Sequence, residues 1–65
     1  MKEGEILENI KCVGNGNGND GLFVHDKIMI FVPETRVNKR YNIKITKVLQ
    51  NIAFGKVTIL VKQNK

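Results

Sequence analysis

Two short apolar runs, Leu22–His25 and Ile28–Val32, are separated by two residues, and the second is stopped by a proline. This is the feature that most narrows what the chain can fold into. A two-residue gap is the hairpin length, although Asp-Gly is a commoner choice than the Asp26-Lys27 found here. Pro33 has no N–H to give to a ladder, so the second strand ends there. Upstream, Gly14–Gly21 is an Asn/Gly repeat. Glycine takes positive φ freely and asparagine does so more than most residues, so this segment reads as a mobile loop. Elsewhere period-2 alternation recurs. Glu5–Val13 reads as a first strand. After a basic connection over Glu34–Arg40, Tyr41, Ile43 and Ile45 share one face of a fourth strand, with Asn42, Lys44 and Thr46 on the other. Gln50-Asn51 marks a turn, and Ile52–Val61 reads as a fifth strand with Val57, Ile59 and Val61 on one face. Lys62–Lys65 is expected as a frayed tail. No segment carries a helical pattern.

With 65 residues the chain makes one domain, because a chain this short buries only ~60% of its unfolded surface and cannot divide its core. The apolar set is dominated by Ile and Val, whose branched side chains favour strands. Five short strands must hide their edges, which predicts an all-β fold: a small five-stranded β-barrel of the OB-like or SH3-like kind. No stretch approaches the ~18 apolar residues of a spanning helix. The N-terminal MKEGEILENIK is acidic and lacks the apolar run of a signal peptide. A single cysteine, Cys12, makes no internal disulfide and suits a reducing compartment. A cytoplasmic location is therefore expected.

Charge is divided along the chain. Residues 1–34 carry a net −3, whereas residues 35–65 hold eight Lys/Arg and no acid. A merely soluble surface intersperses the two signs, so Arg36, Lys39, Arg40, Lys44, Lys47 and Lys56 together point to a phosphate-bearing partner. Any one of them alone reads as a solvated surface charge. Strand parity adds aromatic rings. If the β-branched sides line the core, Phe23, His25 and Phe31 stand together outside, and Phe54 shares parity with Lys56 and Thr58 on the polar side of its strand. Rings exposed on a basic sheet are what single-stranded nucleic acid stacks on. Swapping the faces buries the Phe rings and turns aliphatics outward. The first reading makes Phe23 and Phe54 stackers, and leaves Phe31 as the ring that a bulge beside Val32-Pro33 would turn inward.

No constellation supports catalysis. Gly16-Asn17-Gly18-Asn19-Asp20-Gly21 matches the dinucleotide fingerprint in letters, but that motif requires a helix opening at its last glycine, and LFVHDKIMIFV follows instead. Zinc sites need about four ligands at characteristic spacing, and His25 and Cys12 each stand alone. Nucleophilic catalysis would need Cys12 or a Thr oriented by a base and a third group. Cys12 reads as a small buried hydrophobe ending the first strand. The cluster of Glu3, Glu5 and Glu8 reads as a solvated face. No enzyme activity, cofactor, metal or small-molecule substrate is expected.

The motifs Gly21-Leu22, Phe31-Val32-Pro33, Ile45-Thr46-Lys47-Val48 and Asn51-Ile52-Ala53-Phe54 occur in this order with their spacings kept. In them the chain resembles the TRAM domain family, from Gly4 to Val61. Two positions depart from the family pattern: Asn38-Lys39 stands where a Gly-Glu pair is common, and Lys27 where a turn glycine is common. The resemblance implies one OB-like barrel over residues 4–61 that binds RNA (tRNA, rRNA or mRNA) with low sequence specificity. Small stand-alone members, typical of archaea, act as RNA chaperones comparable to bacterial cold-shock proteins, and a monomer is expected. The RNA-binding set is then Phe23, His25, Phe31, Arg36, Lys39, Arg40, Lys44, Lys47, Phe54 and Lys56. Two other readings stand beside it. One is a protein-interaction or ribosome-associated adaptor on the same barrel. The other is a tRNA- or rRNA-binding accessory module of an RNA-modifying enzyme, against which the initiating Met and complete strand set count.

Overall fold

A computed structural model describes residues 1–16 and 18–59. Among them are six strands and no helix: β1 (Ile6–Lys11), β2 (Gly14–Asn15), β3 (Asp20–His25), β4 (Ile28–Pro33), β5 (Arg40–Val48) and β6 (Ile52–Val57). The expected all-β, barrel-like class holds, with six strands where five were expected. The extra one is β2, which falls inside the Asn/Gly repeat. That repeat is not an unpaired loop. Gly14 pairs with Leu22 and Asn15 with Gly21, and Gly16 N–H donates to Asp20 O at 2.8 Å, making a tight second hairpin. The last strand ends at Val57; its expected continuation through Leu60 and Val61, and the tail over 62–65, lie outside the described residues.

All six strands form one sheet in the order β1-β5-β6-β4-β3-β2, antiparallel throughout except for the parallel β4–β6 pair. The edge strands β1 and β2 are consecutive in the chain, and the sheet curls into a half-barrel whose two edges are joined by the backbone at Cys12-Val13. There the backbone changes partner. Cys12 N–H donates to Lys39 O (2.9 Å) and Val13 N–H to Leu22 O (2.8 Å). Gly21 sits at this seam because nothing larger fits: a Cβ there would overlap Thr35 Oγ1 and stand 2.7 Å from Cys12 Sγ. Two bulges add curl, as an unpaired extra residue bends its strand. In β1 the register slips between Leu7 and Ile10, with Asn9 at φ 56° and its N–H donating to Asn42 Oδ1. In β5 it slips between Ile45 and Lys47, and Thr46 Oγ1 donates to Phe54 O.

The barrel encloses Leu7, Cys12, Phe23, Ile30, Val32, Ile43, Ile45 and Ala53, with Ile10, Ile28, Tyr41 and Val48 packed around them. Phe23 is fully buried, and its ring meets Tyr41 edge-on at 6.1 Å between centroids. Cys12 is the buried hydrophobe expected, its thiol 3.3 Å from Gly14 O.

The β3–β4 hairpin turns at Asp26-Lys27 as expected, with φ of 53° and 66°. Both central residues are left-handed, which is the type I′ geometry that matches strand twist. A lysine in this region carries a strain of ~1–2 kcal/mol, part of which glycine returns as chain entropy on unfolding. Lys27→Gly is therefore expected to stabilise the barrel by about 0.5–1 kcal/mol, which a thermal melt reads as a rise of several degrees.

Candidate nucleic-acid interface

The outer face is built by register. Directly opposed residues in an antiparallel pair project from the same side of the sheet, with Cβ atoms ~4.5–5.5 Å apart. Leu22 opposes Phe31 across β3–β4, Phe31 aligns with Phe54 across β4–β6, and Lys47 opposes Phe54 across β5–β6. A row of Leu22, Phe31, Phe54 and Lys47 thus crosses four strands. A second row, Val24, Met29 and Ile52, runs beside it, and Lys44 opposes Lys56 on the other flank. The Phe31 and Phe54 centroids lie 6.1 Å apart with ring planes tilted by 35°. Phe54 is 39% exposed and Phe31 half-buried. Gly16 lies against the Phe31 ring, where a Cβ would be only 2.9 Å from Cδ1. The second hairpin therefore supports one side of the aromatic pair.

Parity alone would turn Lys47 inward with Ile43 and Ile45. The extra residue at Thr46 reverses the alternation, so Val48 faces the core and Lys47 stands beside Phe54. Lys44 and Lys56 are exposed like charges set directly opposite each other, an arrangement that costs stability unless an anion is near. Among the described residues no Lys or Arg has a carboxylate within ion-pair distance; the one close pair is His25 Nε2 to Asp26 Oδ2, at 3.6 Å.

The ten residues expected at an RNA site do not share one surface. Phe31, Phe54, Lys44, Lys47 and Lys56 come together on the outer face. Phe23 does not: it is in the core, which overturns the expectation that it is a stacker. His25 is also not with the rings. It opposes Ile28 on the inward side of the hairpin, half-exposed at the barrel rim beside Asp26. Both corrections have one cause. A two-residue turn sets the residues flanking it opposite each other, so His25 shares a face with Ile28, and Phe23 with Ile30. Leu22 and Val24 are thereby turned outward, opposite to the β-branched-inside expectation, while Ile28, Ile30 and Val32 face inward as expected. Phe31 is not rotated inward by a bulge. Arg40 lies at the β1 seam opposite Lys11, its Nη1 donating to Asn9 O at 3.0 Å. Arg36 and Lys39 line an open cleft at the barrel end, together with Asn15, Asn19 and Glu34.

Residues that reading by strand missed are Leu22, Val24, Met29 and Ile52, the apolar surround of the rings. Val24 and Met29 are 51% and 41% exposed. The turn length held the signal for the first three. Ile52 depends on the β4–β6 pairing, which joins strands distant in the chain.

No family model matches the chain. The uncharacterized protein MJ0660 of Methanocaldococcus jannaschii is 36% identical to it over 55 residues, covering 85% of this chain and 70% of that protein. The solution structure of a conserved protein from the gene locus MMP0076 of Methanococcus maripaludis is similar with a TM-score of 0.80 at 27% identity, over 91% of this chain and 83% of that one.

Proposed function

The chain belongs to one family with the uncharacterized protein MJ0660 of Methanocaldococcus jannaschii, and from its own outer face we propose that it binds single-stranded RNA with low sequence preference, as an RNA chaperone. The observation that carries this is the Phe31–Phe54 pair with Lys47 directly opposite one ring and the Lys44–Lys56 pair on its flank. Rings offer every base a stacking surface, worth ~1–3 kcal/mol per base, and the lysines take phosphates without reading sequence. A strand held open in this way is kept from pairing with itself. The resemblance to TRAM domains points to the same partner. Such binding needs no cofactor or metal.

Salt tests the electrostatic half. Replacing counterions at phosphates gives a log–log slope of roughly −0.7 for each phosphate neutralised on a single strand. Lys44→Ala with Lys56→Ala is expected to flatten the slope by roughly 0.7 for each phosphate that no longer meets a lysine, and to weaken all sequences alike. This pair is a cleaner choice than Arg40, whose guanidinium already holds Asn9 O. Removing two opposed like charges leaves the fold intact, so melts serve as the control. A slope unchanged in titrations with a short fluorescent RNA would remove the basic flank from the interface.

The adaptor reading has its own observation, the outward Val24–Met29–Ile52 row, of which Val24 and Met29 are exposed and Ile52 half-buried. Binding to an apolar protein surface would persist or strengthen as salt rises, whereas RNA binding falls.

A further inference from the structure

The cleft at the barrel end has a different chemistry from the outer face. It is open, about 790 Å³ in volume, and lined by Asn15, Gly18, Asn19, Glu34, Arg36 and Lys39, among others. This volume falls within the ~300–1,000 Å³ of small-ligand sites. A groove that only tracks phosphates has no use for a carboxylate, which repels them. Yet Glu34 is the last acid before an unbroken basic half and lines the same cleft as Arg36 and Lys39. Its backbone is fixed, with φ at 60° and its N–H donating to Asn19 O at 3.0 Å. Asn38, at φ 73°, lies in the same short connection, and Gly18, at φ 62°, lies opposite. Gly18 takes this conformation freely, whereas the non-glycine residues Glu34 and Asn38 are strained in it, and such strain clusters at ligand clamps. Among the described residues, the side chains of Asn15, Asn19, Glu34, Arg36 and Lys39 make no intramolecular hydrogen bond or ion pair. A set of two amides, one carboxylate and two cations is therefore left open to a ligand.

We infer that this cleft reads one guanine of the bound strand. An ionised carboxylate only accepts hydrogen bonds, at two oxygens. Among the four RNA bases, guanine alone presents two adjacent donors, N1–H and the N2 amino group, to match them. The amides of Asn15 and Asn19 donate to the acceptors O6 and N7, and Arg36 and Lys39 take the flanking phosphates. The cleft and the aromatic pair share one hairpin but lie on its two faces: Gly16 rests on the Phe31 ring, while Asn15, which opposes Gly21, projects to the other side and lines the cleft with Asn19. A strand stacked on Phe31 and Phe54 reaches the pocket by crossing the hairpin from its outer face to the other. This inference rests on the single-stranded RNA reading and adds a base preference to it.

The test compares short RNAs of equal length: all-uridine, and the same strand with one guanosine or one inosine placed in turn at its 5′ end, centre and 3′ end. Guanosine is expected to raise the affinity of the unmodified protein roughly tenfold in at least one position, within the range for a well-matched base contact. Inosine lacks the N2 amino group and is expected to lose most of that gain. With Glu34→Gln, an exposed change that leaves the fold intact, the all-uridine and guanosine strands are expected to bind equally. Equal binding of guanosine and inosine by the unmodified protein, or a gain that survives Glu34→Gln, overturns the pocket. Failure of the outer-face reading looks different. The all-uridine strand then does not bind even at low salt, while a guanosine strand that binds through Glu34 leaves the pocket standing alone; if neither strand binds, both readings fall.

Discussion

Phe23→Ala leaves the chain largely unfolded at room temperature. The ring is fully enclosed and packs edge-on against Tyr41, so its removal opens a cavity in a core of eight buried apolar side chains. Truncating a buried Phe costs about 3–5 kcal/mol. A domain of this length holds only ~3–10 kcal/mol in total, at ~0.05–0.15 kcal/mol per residue. Circular dichroism with urea titration measures the loss. The proposed RNA binding is expected to disappear with the fold, so binding data on this variant say nothing about stacking. A stably folded Phe23→Ala protein that has lost RNA affinity would return Phe23 to the interface and contradict the inward face of β3.

Phe31→Ala combined with Phe54→Ala is expected to do the opposite: the barrel stays folded, with its second hairpin loosened, and under the proposed function RNA affinity collapses. Each stacked base is worth ~1–3 kcal/mol, so removing both platforms costs about 2–6 kcal/mol, or roughly 30-fold to 10⁴-fold in Kd. The salt slope stays as it was, because the lysines remain and phosphate neutralisation does not depend on the rings. The single variants are expected to be unequal. Phe54 is the more exposed ring, whereas Phe31 also supports Gly16, so its removal loosens the second hairpin as well. Fluorescence titrations at two salt concentrations, with melts of each variant, separate these effects. An affinity unchanged in the double variant would leave binding to the lysines and arginines alone.

The hairpin shows how much of this was legible. Its position, its two-residue turn and its stop at Pro33 all stand in the chain. The face assignment was legible too, because the turn length sets His25 against Ile28 and Phe23 against Ile30. Reading each strand by its own β-branched content put Phe23 outside. Coupling the two strands through their turn puts it inside. Phe54 was readable from its parity with Lys56. Lys47 was not, since nothing in Ile45-Thr46-Lys47-Val48 announces a bulge. The extra residue is held here by a contact across the pair, from the Thr46 hydroxyl to Phe54 O.

By itself the sequence determined the strand-forming segments, the proline stop, the turn at Asp26-Lys27 and the division of charge. These rest on local chemistry: branched side chains, a missing N–H, backbone angles and the sign of each side chain. Tertiary structure alone decided that Phe31 and Phe54 are neighbours, because their strands meet in parallel across a long stretch of chain. It alone drew β2 out of an Asn/Gly repeat, since two residues without apolar side chains form a strand only where the closing sheet offers an unpaired edge. It also divided the basic half between an outer face, a seam and an end cleft. Charge is carried by residues, but the surface on which it accumulates is set by how the sheet curls.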